Sequence, residues 1–376
     1  MCVQAEQNTP QRICYIATYY QYDNYGTRLQ NYALCRVLEA CNVQPITLAL
    51  IDGGTVVKRL LKNFLSLLPE QWGHVSHYRV DRYKRQMFAR FNKHLNLLPI
   101  RSSQLSKLDF THACAIAGSD QIWSPKHLSV NPHDADLFFL RFVPQNKRFA
   151  YAPSFGSADV PEWYGLRYAQ YITEFNKLSV REETGRDIIQ SLIGRDAQVM
   201  PDPTFLLSRD EWKQLTESAK PPVTVSDKSF ALVYFLSEQS TEVRSHIAAY
   251  AKTRGLRIIS IAGNQVLDGD IIATPDVFVS LIRHAVTVFT DSFHAAVFSI
   301  IMQTPFVVFR RTDVDQISRL QTLLRTYRLE CALAETVTDV SAFDRIIKQE
   351  EFHVTEQLMA AERRRGLNYI DRCLAN

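Results

Sequence analysis

From Arg12 onward the chain alternates short, almost wholly apolar runs with longer stretches whose apolar residues recur every three or four positions. RICYIAT (residues 12–18) and QPITLALI (residues 44–51) read as strands, and LQNYALCRVLEAC (residues 29–41) between them has helical spacing. Strand, helix, strand is a βαβ unit and predicts a parallel sheet. The rhythm resumes with HACAIAG (112–118), RFAYAPSFG (148–156), a helix around 164–176, LSVRE (178–182), a further helix, and AQVMPDPTFLL (197–207). Between these parts, residues 57–98 are helical in character and basic. Lys58, Arg59, Lys62, Arg79, Arg82, Lys84, Arg85, Arg90 and Lys93 stand there against Glu70 and Asp81.

A polar stretch at 211–228 containing Pro221-Pro222 reads as a linker. Beyond it the pattern repeats: FALVYFL, RIISIAG, AVTVFT and PFVVFRR as strands, with helical segments between and after them. The expected organisation is a polar tail (1–11), a first Rossmann-like domain (12–210) with the basic insertion 57–98, and the linker 211–228. A second Rossmann-like domain (229–342) and terminal helices (343–376) complete it. The expected fold class is α/β, two doubly wound domains facing a cleft in a GT-B-like plan, with the first domain on the acceptor side and the second on the donor side. In such sheets ligands lie outside the carboxyl ends of the strands.

A length of 376 residues, 46% hydrophobic, supports two cores. A net charge of +4 admits anionic substrates and is too small to argue by itself for a nucleic-acid partner. Seven scattered cysteines without a C-x-x-C pair imply neither a disulfide framework nor a zinc ribbon. They point to a reducing, cytoplasmic compartment. The polar start lacks the features of a signal peptide, and no run is long and apolar enough to span a bilayer.

Polar clusters fall at the expected carboxyl ends: Asn24-Tyr25-Gly26, GSDQIW (118–123), YAPSFGS (151–157), Arg181-Glu182-Glu183, PDPTF (201–205) and TDSFH (290–294). In TDSFH, Asp291 or Ser292 suits the helix N-cap. His294 falls in the first turn, where free N–H groups and the helix dipole favour an anion. A mobile proton there favours a functional reading over a packed imidazole. Arg181 offers either a surface ion pair with Glu182 or Glu183 or a fork for carboxylate or phosphate. Arg310 and Arg311 end the strand after the His294 helix and come near the same place. Gly118 lets the chain turn, Ser119, Asp120 and Gln121 offer hydrogen bonds to a sugar-like ligand, Trp123 reads as core, and Asp202-Pro203-Thr204 reads as a turn. Phosphate-loop, dinucleotide, zinc-protease and hydrolase-elbow motifs are absent, and no histidine spacing suits a metal.

Taken in order, NYGTRLQNYAL, GSDQIW, AYAPSFG, SVREETG, DPTFLL and TDSFHAAVFSIIMQTPFVVF resemble the polysaccharide pyruvyl transferase family, in its GSDQIW/TDSFH-containing branch, over residues 12–329. The resemblance implies a GT-B-like transferase that moves the enolpyruvyl group of phosphoenolpyruvate onto a sugar of a cell-surface polysaccharide precursor, forming a pyruvate ketal. It implies Arg181 as a grip on phosphoenolpyruvate, His294 at the same donor site as catalytic residue, and a basic residue, Arg310 or Arg311, in the donor pocket. Ser292 is placed with them. Asn24, Tyr25, Ser119, Asp120 and Gln121 are assigned to the acceptor. Ala295 departs from the glycine many relatives carry. No metal or further cofactor is implied, and Asp120 and Asp23 are the candidates for a base. The acceptor is a sugar or lipid-linked oligosaccharide, which makes the basic segment 57–98 a candidate for contact with the inner face of the membrane. Two rival readings stay open: a nucleotide-sugar glycosyltransferase of the same fold, and a non-catalytic glycan-binding protein.

Overall fold

A computed structural model describes residues 12–20, 23–51, 75–222, 229–263, 269–311, 317–334, 339–348 and 352–375. The first sheet contains β1 (Arg12–Ala17), β2 (Val43–Leu50), β3 (Leu97–Ile100), β4 (Ala113–Ala117) and β5 (Arg148–Ala150), in the order β3-β2-β1-β4-β5. Every pairing in it is parallel. Strands buried on both faces must be apolar throughout, and β4, ACAIA, is buried at each position. Its helices are α1 (Tyr25–Ala40), α2 (Val75–Phe91), the short α3 (Pro125–Val130) and α4 (Asp134–Phe138), α5 (Glu162–Thr173) and α6 (Glu183–Ile193). A two-stranded parallel pair, β6 (Ser179–Val180) with β7 (Gln198–Val199), extends it through a bridge between Phe149 and Lys177.

The second sheet contains β8 (Phe230–Tyr234), β9 (Arg257–Ser260), β10 (Thr287–Thr290), β11 (Phe306–Phe309) and β12 (Leu333–Ala334), in the order β12-β11-β10-β8-β9 and again all parallel. The segment α7 (Arg209–Glu217) precedes it. Around it lie α8 (Thr241–Thr253), α9 (Pro275–His284), α10 (Phe293–Met302), α11 (Ile317–Thr326), α12 (Ser341–Lys348) and α13 (Phe352–Leu374). Each sheet reverses its strand order once, between β1 and β4 in the first and between β8 and β10 in the second. Helices leave such a reversal on opposite sides, so a crevice opens at the strand ends there.

Three expectations need correction. The stretch 211–228 is not a loose linker in its first part, because α7 continues to Glu217, closed at its start by a capping box of Ser208 and Glu211. Trp212 in α7 is fully buried, meets Phe298 edge-on at 4.8 Å and donates from Nε1 to the Thr204 carbonyl. Residues 223–228 lie outside the described residues. The basic insertion does not run to 98 as helices, because Leu97 and Leu98 already belong to β3. Pro99 is tolerated in this edge strand, which needs fewer ladder donors. Residues 57–74 of the insertion lie outside the described residues. Its helix α2 faces inward, with Met87, Phe88 and Phe91 buried and Lys84 Nζ donating to the Gly263 carbonyl of the second half. In the run 197–207, finally, only Gln198–Val199 is strand, and Pro203–Leu206 is a 3-10 turn.

Several ties join the halves. The Tyr25 ring stacks on Phe278 at 4.5 Å, and its hydroxyl accepts from the Ala273 N–H. Arg209 Nε donates to the Ile301 carbonyl. The terminal helix α13 returns to the first sheet, where the Tyr369 hydroxyl donates to the Ala150 carbonyl and Arg12 bonds to the Leu374 carbonyl. Among the described residues no helix is long and apolar enough to cross a membrane. Since Trp212 fills the junction without exposure, Trp212→Ala is expected to destabilise the protein by about 3–5 kcal/mol in urea denaturation. A loss below about 1 kcal/mol would show that the junction is not part of the cooperative core.

Candidate active site

The two strand-order reversals face each other across a cavity of about 130 Å³. The first half contributes Asn24, Asp120 and Gln121 to its wall. The second contributes Leu236, Asp291, Ser292, Phe293, His294, Arg311, Ile317, Arg319 and Leu320.

The tip of β10 is assembled by its own polar groups. Thr290 Oγ1 donates to the Tyr234 carbonyl and accepts from the Ser292 N–H. Asp291 accepts from the N–H groups of Leu236 (2.6 Å) and Ser237 (2.9 Å), so it anchors the loop after β8. Ser292 is the N-cap of α10, its hydroxyl accepting from the Ala295 N–H. This resolves the choice between Asp291 and Ser292. The Ser292 hydroxyl, expected at the donor, also lines the cavity, and in the cap it only accepts.

His294 is the second residue of α10 and only 8% exposed. Its ring rests on Gly26 of α1, where an added Cβ would stand 1.9 Å from His294 Nδ1. On the other side, Nε2 lies 3.5 Å from Asp202 Oδ2 and makes no hydrogen bond. The imidazole is therefore clamped by the first half of the chain, with Nε2 directed at a carboxylate.

That carboxylate is buried and heavily committed. Asp202 Oδ1 accepts from the N–H and hydroxyl of Thr204, and Oδ2 accepts from Arg181 Nη1 at 2.8 Å. Burial alone would push the acid's pKa up. His294, Arg181 and the Thr204 N–H together hold it well below the usual carboxylate range. The turn read at Asp202-Pro203-Thr204 is present, and its first residue also serves the site.

Arg181, at the end of β6, is buried and pairs with Asp202 rather than with Glu182 or Glu183. Its Nη2 stands 3.9 Å from Asp120 Oδ1, and its Nε and Nη2 have no hydrogen-bond partner. Burial opposes its charge, but Asp202, Asp120 and Glu182 keep it ionised. Its guanidinium lies 4.6 Å from the centroid of the Phe293 ring, and that of Arg319 in α11 lies over the same ring at 5.6 Å. Burial first, and then the charge of Arg181, bring the Arg319 pKa down to about 10. Two desolvated cations thus meet at one ring, Arg319 on the cavity wall and Arg181 outside the lining residues. A small anion with two negative groups is the ligand such a pair suits.

The other expected residues divide. Asp120, at φ 76° in the left-handed region few non-glycine residues adopt, accepts from Thr27 Oγ1 at 2.8 Å and faces the cavity with Gln121. It is brought there by Gly118, where a Cβ would meet the Tyr151 carbonyl oxygen at 2.0 Å. Asn24 also lines the cavity, its side chain capping α1 through the Gly26 and Thr27 N–H groups. Tyr25 does not fit an acceptor role, because its ring is buried among Phe88, Tyr234 and Phe278. Ser119 does not fit either. It is fully buried, its hydroxyl donating to the Ala152 carbonyl and its N–H to Gln30. Arg311 is on the cavity wall, whereas Arg310 is exposed and not among the lining residues. Asp23 lies 4.0 Å from Arg28 and outside the wall.

Gly26, Asp202, Phe293 and Arg319 escaped the sequence reading as site residues. Gly26 and Phe293 stood inside quoted motifs, and the Asp-Pro-Thr turn marked Asp202. Nothing local distinguishes Arg319 within a helical SRLQTLLRT. Among the described residues no group of three or more His, Cys, Asp or Glu is placed to hold a metal ion.

A family model described as polysaccharide pyruvyl transferase matches residues 24–313 of the chain. No curated protein matches it. Similar solved structures include a putative UDP-N-acetylglucosamine 2-epimerase from Listeria monocytogenes. It has 10% identity and a TM-score of 0.47, and the match covers 91% of this chain and 89% of that one. Another is the UDP-GlcNAc 2-epimerase of Methanocaldococcus jannaschii in complex with UDP-GlcNAc and UDP. It has 9% identity and a TM-score of 0.46, with 90% of this chain and 93% of that one covered.

Two predictions arise from the clamp. Gly26→Ala is expected to displace the His294 ring, costing about 1–3 kcal/mol as overpacking does. Urea denaturation and the His294 ring-proton NMR shifts measure this, and unchanged shifts would refute the contact. Because the Asp202 pKa is lower in the folded than in the unfolded chain, its stabilising contribution is full above the unfolded value, about 3.9. That contribution is lost as the pH falls through the folded value. Asp202→Asn is therefore expected to be less stable than wild type at neutral pH, by a margin that shrinks below about pH 4. A margin independent of pH would refute the charge of Asp202 as its source.

Proposed function

Since the chain belongs to the polysaccharide pyruvyl transferase family, a family of transferases, we propose that it moves the enolpyruvyl group of phosphoenolpyruvate onto two hydroxyls of a sugar in a polysaccharide precursor. The observation that carries this reading is the pair of buried guanidiniums of Arg181 and Arg319 over Phe293 beside His294. The donor carries a carboxylate and a phosphate, and two buried forks against one ring, with Arg319 on the cavity wall, suit two such groups.

The chemistry assigns each group a task. One acceptor hydroxyl adds to the central carbon of phosphoenolpyruvate while a proton reaches the methylene carbon, which becomes a methyl group. The bond from the central carbon to the phosphate oxygen then breaks, and the second hydroxyl closes the ketal. Of the two hydroxyl protons, one is balanced by the new methyl C–H and the other leaves with phosphate. His294 delivers the proton, and Asp202 holds its ring and balances its charge. Arg181, Arg319 and Arg311 neutralise the carboxylate and the departing phosphate. Asp120, facing the cavity from the first half, takes the proton of the attacking hydroxyl. No further cofactor enters these steps. A lipid-linked acceptor would bring the protein to the cytoplasmic face of the membrane. Helix α2 turns its apolar side inward, so any membrane contact by the basic segment rests on its outward residues.

The test is the melting temperature with phosphoenolpyruvate, beside UDP- and GDP-sugars. A ligand bound only by the folded state raises it. The expected result is stabilisation by phosphoenolpyruvate alone, absent in Arg181→Ala and weakened in Arg319→Met. His294→Ala should fold, bind the donor and lose turnover. Stabilisation by a nucleotide sugar instead would move the protein to the glycosyltransferases, and turnover retained by His294→Ala would remove its role.

A further inference from the structure

Beside the donor cavity lies a second, larger one of about 250 Å³. It opens at the carboxyl ends of β8 and β9, on the same edge of the sheet as the site. The two share Leu236, and the loop from Leu236 to Gln239 is the partition between them. This partition is not loose. Asp291 holds it through the Leu236 and Ser237 N–H groups, and Gln239 Nε2 bonds to Ser237 Oγ at 3.1 Å. At its far rim Gly263 leaves no room for a side chain, since a Cβ would stand 1.9 Å from the Phe235 carbonyl oxygen.

The lining has an apolar floor and an acidic, hydroxyl-bearing rim. Phe235, Ile247, Ile258 and Ile261 supply the floor. Ile258 is 40% exposed, a large apolar side chain with solvent on one face. Glu238, Asp270 and Ser260 supply hydrogen-bond acceptors at the rim. Arg244 is the cation among the lining residues, half exposed and 3.7 Å from Glu238. The donor cavity differs in carrying two arginines, the buried Arg319 and the half-buried Arg311, beside Asp120 and Asp291. A diphosphate would meet two carboxylates in the second cavity and one cation already beside an acid, a poor match in charge. A neutral polyol meets what it needs, an apolar surface for its C–H face and carboxylates that accept strongly from hydroxyls.

We propose that this second cavity binds the sugar ring of the acceptor, a neutral hexopyranose. Its apolar face rests on Phe235 and Ile258, its hydroxyls bond to Glu238, Asp270 and Ser260, and the two hydroxyls to be bridged reach past Leu236 toward the donor. The assignment rests on the transfer reading given above. It moves the acceptor ring from the first half of the chain, where Asn24, Tyr25, Ser119, Asp120 and Gln121 were expected to hold it, to the second.

The experiment uses the full chain with a panel of p-nitrophenyl hexopyranosides, read by saturation-transfer NMR and by titration calorimetry in the presence of phosphoenolpyruvate. Ile258→Trp, which fills the cavity from an exposed position, is expected to abolish glycoside binding. Glu238→Gln, at a solvent-facing side chain unimportant for folding, is expected to weaken it at least about threefold, the loss of one charge-assisted hydrogen bond at a partly exposed site. Both variants should keep the melting shift given by phosphoenolpyruvate. The proposal is overturned if no glycoside of the panel binds the wild-type protein, if both variants bind with wild-type affinity, or if UMP displaces the glycosides. Glycoside binding lost in the variants, with no stabilisation by phosphoenolpyruvate, would keep this cavity as a sugar site and remove the donor reading instead.

Discussion

The buried ion pair between Arg181 and Asp202 is the constraint around which the rest is arranged. Neither side chain has appreciable contact with solvent, and a charge taken out of water is tolerated only when its neighbours replace the lost hydration. Asp202 has its replacement in full, from Arg181 and from the N–H and hydroxyl of Thr204. Arg181 has only part of its own, because Nε and Nη2 remain without hydrogen bonds. Desolvation that would be wasteful in a structural pair is what a binding site for an anion requires. On the proposed reading, these N–H donors stand ready in a low-dielectric setting and need no reorganisation when an anion binds.

The second half of the chain completes the site around this pair. Arg181 and Asp202 belong to the first half, whereas Phe293, His294 and Arg319 belong to the second. The Phe293 ring under the guanidiniums and the imidazole over Gly26 fix one half against the other within the length of a side chain. Trp212 in the junction, Tyr25 stacked on Phe278 and the return of α13 to the first sheet hold that arrangement at a distance from the chemistry. Precision at the site therefore comes from packed aromatic and helical elements, not from the site's own polar contacts.

One partition then separates two environments of opposite character. The loop after β8, pinned by Asp291, faces a cavity lined by Arg311 and the buried Arg319 on one side and an apolar floor with an acidic rim on the other. On the proposed reading, the carboxylates of the second cavity disfavour an anionic donor there, whereas a neutral acceptor is repelled by neither cavity.

The amino-acid sequence by itself determined the parallel α/β class, the two repeated βα halves and the polar strand tips. The period of the apolar positions and the turn residues are local properties. TDSFH made His294 visible in this way, and the strand end after LSV did the same for Arg181. Tertiary structure decided which of those tips meet and what each polar group does there. Only the packing of α1 and α11 brought Gly26 and Arg319 to the site, turned Tyr25 and Ser119 into buried framework, and separated Arg311 from Arg310. The choice between two adjacent arginines, or between a turn aspartate and the partner of a histidine, depends on burial and on neighbours far along the chain. No local pattern along the chain encodes those distances.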